Sequence, residues 1–209
     1  MKRLPEPPLL VITDRTMAKQ PLAQMAEVVF KGGCRWLMLR EKDLDAAARE
    51  ALAAEIIEVA KPYGAHVTIN RDPVEGTHGV HLPQGCNVAG KSGLIGVSAH
   101  SLDEARLAAA AGADYVTLSP VFLTTSKPGY GPALGLDGLS DVATRLAIPV
   151  IALGGIDAEN AAACLEAGAG GVAVMGGVMR ADDPEAAVAD LVKSLRSART
   201  ARSPGVSRP

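Results

Sequence analysis

The chain has 209 residues, 48% of them hydrophobic, which suits a single domain of α/β-barrel size with a sizeable core. Lys and Arg number 21 against 23 Asp and Glu, so the net charge of −2 argues against nucleic acid as a partner, as does the 3% aromatic content. The longest apolar runs are too short for a membrane span, so no membrane partner is expected.

The cysteines and the N-terminus indicate a cytoplasmic protein. Cys34, Cys86 and Cys164 are widely spaced and form no CxxC pair, which is typical of reduced, structural thiols. The N-terminus carries two positive charges, but its apolar run is short and leads directly into a predicted strand. We therefore predict no signal peptide.

Short apolar runs recur along the chain, as in strands that are buried on both faces of a parallel sheet. They comprise residues 9–13, 35–39, 66–69, 80–82, 94–98, 115–118, 149–153 and 171–175. Most are separated by segments with apolar residues every three or four positions, which predict helices. These helices comprise residues 21–31, 44–61, 101–111, 137–146, 158–167 and 183–197, with Asp43 and Ser101 as predicted N-caps.

Alternation of eight strands with helices predicts a (β/α)8 TIM barrel over residues 1–198. The barrel is compact, because the segments after strands three and four are too short for a full helix. An open doubly wound sheet is the alternative, but no GxGxxG motif follows the first strand. Residues 199–209 are rich in Arg, Ser and Pro and predict a disordered basic tail.

A long loop follows the sixth strand and carries Thr124, Thr125, Ser126 and Lys127. Long loops in compact domains are functional or disordered. Hydroxyl donors beside a fixed positive charge suit an anionic group such as phosphate. A solvated surface loop is the alternative interpretation.

In a barrel of this class the active site lies at the C-terminal ends of the strands, where cations outnumber acids in this chain. Besides the loop after strand six, these ends carry Asp14, Arg15, Arg40, Lys42, Asn70, His81, Gln84, Ser98, His100, Gly154, Gly155, Gly176 and Gly177. The glycines after strands seven and eight expose backbone N–H groups, as in the phosphate sites of many barrels. We therefore expect a phosphorylated small-molecule substrate, although a tight turn explains either glycine pair alone.

Other interpretations stay open for the remaining candidates. The segment from Arg40 to Lys42 also fits a solvated charge run at a helix start. His81 and His100 also fit ordinary hydrogen-bonded histidines. Cys86 also fits a small buried hydrophobe.

Several motifs together resemble the thiamine phosphate synthase and TenI group, in order, from about residue 9 to residue 175. They are VITDR (11–15), LREKD (39–43), TIN (68–70), GVHL (79–82), GVSAHS (96–101), ADYVTLSPVFLTTSKP (113–128), PVIALGGI (149–156) and GAGGVAVM (168–175). The resemblance implies a (β/α)8 barrel of thiamine biosynthesis.

In the synthase, hydroxymethylpyrimidine diphosphate loses pyrophosphate, and a thiazole phosphate captures the resulting pyrimidine cation. The resemblance implies that one set of residues holds the pyrophosphate and the pyrimidine: Arg40, Lys42, Asn70, Ser98 and Lys127. It implies that a second set holds the thiazole phosphate: Thr124, Ser126, Gly155, Gly176 and Gly177.

The chain departs from the synthase at both acids that bind Mg²⁺ there. Arg71 follows the Asn of strand three, and Cys86 stands where HxGQxD has its acid. A hard dication prefers oxygen ligands, and Arg71 would repel it. Asp72, one residue later, substitutes as a metal ligand only if the loop is re-registered.

TenI-type thiazole tautomerases also lack both acids and share an LPxG segment like residues 82–85. We therefore favour a metal-independent tautomerase with no cofactor, whose acid/base groups come from His100, His81 or Cys86. The histidine that these tautomerases carry after strand six has no counterpart, because Ser119 and Pro120 stand there.

Two alternatives to the tautomerase stay open. The first is the synthase, which uses Mg²⁺ and takes hydroxymethylpyrimidine diphosphate as a second substrate. The second is a non-catalytic regulator that binds a thiamine-related phosphate. A homo-oligomer is compatible with all of these readings.

Overall fold

The structure is a computed structural model that describes residues 2–124 and 132–202. Parallel strands pair in chain order and close into an eight-stranded barrel, which confirms the predicted fold. The strands are β1 Leu9–Ile12, β2 Trp36–Leu39, β3 His66–Asn70, β4 Gly79–Leu82, β5 Leu94–Ala99, β6 Tyr115–Leu118, β7 Val150–Leu153 and β8 Gly171–Val174. Closure comes from β8, which pairs with β1 through Val172 opposite Leu9 and Val174 opposite Val11.

Helices cover the outside of the barrel, except the short helix at Gly176–Met179, which begins in the lining of the C-terminal mouth. They are α1 Leu22–Lys31, α2 Ala46–Ala60, α3 Leu102–Ala111, α4 Gly135–Arg145, α5 Ala161–Glu166, α6 Gly176–Met179 and α7 Pro184–Arg202, with a 3₁₀ turn at Lys61–Tyr63. Residues 71–78 and 83–93 connect β3 to β4 and β4 to β5 without a helix, as predicted. These short connections leave that side of the mouth lined by loop residues.

Several predicted helix ends differ from the structure, among them the start of α2 and the end of α7. Asp45, not Asp43, caps α2, because its carboxylate accepts from the Ala48 amide at 2.8 Å while Asp43 pairs with Arg15. The last helix runs to Arg202, so residues 199–202, expected in the tail, are helical. Residues 203–209 lie outside the described residues. The cap at Ser101 is confirmed, since its hydroxyl accepts from the Glu104 amide at 3.2 Å.

Side chains alternate between the barrel interior and the helix layer, as the period of a strand requires. The larger apolar cluster lies between strands and helices, and a smaller one that includes Trp36, Met38 and Tyr115 fills the interior. Trp36 meets Tyr115 edge to face with ring centroids 4.9 Å apart. This packing closes the barrel below the mouth, so the polar ends of the strands form the floor of the site.

Within the described ranges, every helix is too short or too polar to cross a membrane.

Candidate active site

Two cavities of about 390 and 330 Å³ adjoin at the C-terminal mouth of the barrel. The first, here the glycine compartment, is lined by Gly154, Gly155, Gly176, Gly177, Thr124 and Arg180, among others. The second, here the polar compartment, is lined by Arg40, Lys42, Asn70, Arg71, His81, Ser98 and His100, among others. Both cavities share Ile12, Arg40, Ser119 and Leu153 in their linings.

The turn after β7 admits only glycine at its second position. Gly155 has φ +63°, and a Cβ there would lie 2.5 Å from the Leu123 carbonyl oxygen. The Phe122 amide donates to the Gly154 carbonyl at 3.0 Å, which fixes the loop after β6 against this turn. Glycine is therefore required because the chain passes so closely, and the wall of the compartment is backbone.

Arg180 also lines this compartment, although the sequence motifs did not predict it as a site residue. A Cβ built on Gly176 would lie 2.5 Å from Nη2 of Arg180, so the guanidinium covers the glycine directly. Nη1 of Arg180 also donates to Sδ of Met17 at 3.0 Å. The sequence feature that could have identified it is a basic residue one helical turn after the glycine pair. The short helix α6 brings this residue back over Gly176. The compartment thus combines glycine backbone with a fixed positive charge.

The polar compartment brings together most of the predicted side chains. Arg40, Lys42, Asn70, His81, Ser98 and His100 come from the ends of four different strands or the residues that follow them. Nδ2 of Asn70 donates to the His81 carbonyl oxygen at 3.1 Å, which orients the amide. Among the described residues that line this compartment, cations are present and Asp and Glu are absent.

Glu41 fixes the segment that carries Arg40. Its buried carboxylate accepts from Oγ1 of Thr13 at 2.6 Å and from the Arg15 amide at 3.0 Å. Oγ1 of Thr13 in turn accepts from the Arg40 amide at 3.0 Å. Burial raises the pKa of Glu41 above its usual value, and these two hydrogen bonds offset only part of that rise. The backbone of Arg40 is therefore fixed by hydrogen bonds, and its side chain lines both cavities. The segment is not a solvated charge run.

His81 is buried in a network inside the barrel. Its Nδ1 lies 3.1 Å from the Tyr115 hydroxyl, and its Nε2 lies 3.0 Å from Oγ of Ser98 and 3.3 Å from Oγ1 of Thr117. Burial, with a smaller contribution from the Arg40 charge, lowers the pKa of His81 from 6.5 to about 4. Burial also raises the pKa of Tyr115. His81 is thus a neutral residue that orients Ser98, and a poor proton carrier near neutrality.

His100 differs from His81 in its surroundings. Its Nδ1 lies 2.8 Å from the Ser119 carbonyl oxygen, which only accepts, so Nδ1 carries the proton of the neutral ring. The side chain is half-buried and lines the polar compartment. Of the three acid/base candidates, His100 is the one whose geometry suits proton transfer.

Two predicted site residues do not reach the mouth. Cys86 is exposed and belongs to the lining of neither compartment, because the turn after β4 carries it outward. Asp72 is also exposed, and its carboxylate lies 3.5 Å from Nη2 of Arg49 on the outside of the barrel. Ser126 and Lys127, with Thr125, lie outside the described residues.

The described donors of the polar compartment do not fit a magnesium ion. Within residues 2–124 and 132–202, no three His, Cys, Asp or Glu side chains are grouped as metal ligands. The polar compartment has amide, hydroxyl and imidazole groups beside guanidinium and ammonium groups. Mg²⁺ binds through carboxylate and phosphate oxygens, and fixed cations repel it.

Comparison with known proteins places this geometry in a family. The thiamine monophosphate synthase family matches residues 9–178. A thiamine-phosphate synthase of a Roseiflexus species is 35% identical over 201 residues, which cover 90% of this chain and 85% of that protein. A putative thiamine-phosphate synthase of Geobacter sulfurreducens is 40% identical over 189 residues, which cover 84% of this chain and 88% of that protein.

A solved structure agrees with these relatives. The thiamine phosphate pyrophosphorylase of Pyrococcus furiosus superposes with a TM-score of 0.80 and 29% identity, covering 91% of this chain and 96% of that one. All three relatives are named as the synthase, and none is named as a tautomerase. They therefore favour the alternative predicted from the sequence over the tautomerase.

Proposed function

We propose that this chain, which belongs to the thiamine monophosphate synthase family, joins hydroxymethylpyrimidine diphosphate to a thiazole phosphate. The observation that carries the proposal is the pair of adjoining compartments that share Arg40. A transferase must hold two substrates side by side, with their reacting atoms close and aligned. A tautomerase needs room for one.

The glycine compartment suits the thiazole phosphate. Gly154, Gly155, Gly176 and Gly177 line the cavity with backbone. A Cβ at Gly177 would meet nothing closer than 3.9 Å, and Arg180 supplies a positive charge over Gly176. Apolar side chains such as Ile156 and Leu153 line the same cavity and suit a ring. Thr124 adds a hydroxyl at the rim.

The polar compartment suits the pyrimidine diphosphate. Its cations hold negative charge, and the Ser98 hydroxyl and Asn70 amide are held in place by the hydrogen bonds to His81. Such preorganised groups stabilise charge as it develops in a transition state. Because Arg40 lines both compartments, its guanidinium can contact the diphosphate at the point where the two substrates meet.

The reaction then proceeds by exchange of one bond for another. The bond between the pyrimidine methylene carbon and the diphosphate oxygen breaks, and both electrons leave with pyrophosphate. The lone pair of the thiazole nitrogen forms a new carbon–nitrogen bond to the same methylene. Arg40, Lys42 and Arg71 stabilise the departing negative charge, while the barrel interior below excludes water.

A thiazole tautomerase is the second candidate, because carboxylates are absent from the described lining of the polar compartment. In that reaction His100 would move the proton. Cys86 and His81 are weaker candidates, since one is exposed away from the cavities and the other is buried and neutral.

The test supplies purified protein with both substrates and measures thiamine phosphate by chromatography, with single-substrate reactions as blanks. Production of thiamine phosphate at an enzymatic rate is expected. Isomerisation of a thiazole carboxylate phosphate with no condensation product would instead establish the tautomerase. Arg106→Ala, on the outer face of α3, is the matched control and should leave the rate unchanged.

A further inference from the structure

Arg71 has an unusual backbone conformation at the edge of the polar compartment. Its φ of +74° lies in the left-handed region, the only such value for a non-glycine residue in the described ranges. Its amide donates to the His81 carbonyl oxygen at 2.9 Å, and Nδ2 of Asn70 donates to the same oxygen at 3.1 Å. Long side chains rarely adopt this conformation, and strained residues of this kind cluster at functional sites.

The conformation separates Arg71 from the acid that follows it. Arg71 lines the polar compartment together with Arg40 and Lys42, whereas Asp72 pairs with Arg49 outside it. The other nearby acids are also occupied. Glu41 accepts from Thr13 and the Arg15 amide, Asp14 accepts from Thr16, and Asp43 pairs with Arg15. The segment therefore directs a cation to the cavity and its carboxylates elsewhere.

The described lining of the polar compartment has three cations, Arg40, Lys42 and Arg71, and neither Asp nor Glu, a composition that suits a polyanion. A guanidinium offers a planar pair of donors that matches two phosphate oxygens at once. Mg²⁺ would bring its own charge into a field that is already positive, and the described lining of the polar compartment has no carboxylate to bind it.

We propose that the polar compartment binds a diphosphate without a divalent cation, and that Arg71 provides the charge that a metal would otherwise supply. The inference deepens the proposed function, because the diphosphate is then the leaving group of the transfer reaction. Arg71 is then a specificity-determining residue that holds the anion.

Inorganic pyrophosphate is the probe, and its binding to the full chain is measured by calorimetry in EDTA and in excess MgCl₂. Binding in EDTA is expected. Added Mg²⁺ is expected to leave the affinity unchanged or to weaken it, because the ion competes for pyrophosphate in solution. Binding that requires Mg²⁺ would overturn the inference.

Arg71→Gly is the informative variant, because glycine adopts a positive φ without strain and the fold should therefore be retained. Its affinity for pyrophosphate in EDTA should fall about tenfold or more, as expected when a charge-assisted hydrogen bond is lost. Arg71→Asp should bind more weakly still, since it adds a repulsive charge. Wild-type affinity in either variant would refute the role of Arg71.

Arg106→Ala removes a surface arginine outside both compartments and should bind pyrophosphate like the wild type. Thermal unfolding of each variant checks that the barrel is intact. Metal-free binding of pyrophosphate by a protein that forms no thiamine phosphate would uphold the inference and remove the proposed function. Turnover that depends on Mg²⁺, with pyrophosphate bound only when Mg²⁺ is present, would uphold the proposed function and overturn the inference.

Discussion

The glycine and polar compartments recognise anions by different means. In the glycine compartment the walls at Gly154, Gly155 and Gly176 are backbone, and the Arg180 guanidinium lies over Gly176. In the polar compartment the walls are side chains such as Arg40, Arg71 and Ser98. Backbone recognition depends on chain path and tolerates changes in side chains, whereas side-chain recognition changes with a single substitution.

Arg40 joins the two compartments, so its loss should have the largest effect. Arg40→Ala should lower kcat/KM about a hundredfold, the usual cost of removing one preorganised donor to developing charge. Because the residue lines both cavities, the KM values for both substrates should rise. Steady-state kinetics with each substrate varied in turn measures this. A rise confined to one substrate would show that Arg40 serves one compartment only, and Arg145→Ala on α4 is the surface control.

Gly155→Ala tests the backbone wall of the glycine compartment. The new Cβ would meet the Leu123 carbonyl oxygen at 2.5 Å, in a left-handed conformation. We expect a loss of about 3 kcal/mol in the free energy of unfolding, from clash and backbone strain together. Gly85→Ala is the control for strain alone, since Gly85 has φ +73° and open space around it, and it should cost about 1 kcal/mol. Equal losses in chemical denaturation would contradict the close approach.

The buried network beneath the polar compartment predicts a pH dependence that the glycine compartment lacks. The pKa of His81 falls from 6.5 to about 4 on folding, so the folded state binds this proton less readily than the unfolded state. Its contribution to stability is therefore complete above pH 6.5 and decreases as the pH falls towards 4. At about pH 5 the loss amounts to about 2 kcal/mol, at about 1.4 kcal/mol per pKa unit.

Denaturant unfolding of the wild type and of His81→Gln, from about pH 7 to about pH 5, measures this contribution. The difference in stability between the two proteins should narrow as the pH falls, because glutamine does not titrate. His66 also has a lowered pKa, but it is common to both proteins and cancels in the comparison. A difference that stays constant with pH would mean that His81 binds its proton equally in both states.

Arg180 offers the smallest and most selective test. Arg180→Met should raise the KM for the thiazole phosphate about tenfold, as expected for one charged hydrogen bond, and leave the KM for the pyrimidine diphosphate unchanged. Arg180→Lys retains the positive charge and should raise the KM for the thiazole phosphate less than Arg180→Met does. Parallel changes in both KM values would place Arg180 outside phosphate recognition and would make the glycine compartment a purely backbone site.

Sequence reasoning recovered the fold and most of the mouth for a physical reason. Parallel strands buried on both faces appear as continuous apolar runs, and the residues that follow them must meet at one end of a closed barrel. Arg40, Asn70 and Ser98 therefore reach the mouth wherever the loops run. Cys86 and Asp72 do not reach the mouth, because they lie in loops and sequence periodicity does not predict the path of a loop.

By itself the sequence determined the eight-stranded barrel, the edge at which chemistry is placed and the excess of positive charge there. Only the tertiary structure decided which of those residues act together. It buried His81 in a hydrogen-bonded network and folded Arg180 back over Gly176. It also left Arg71 exposed in the lining of the polar compartment and paired Asp72 with Arg49 outside it. Burial, loop path and side-chain direction arise from contacts between segments far apart in the chain, and these contacts exist only once the barrel has closed.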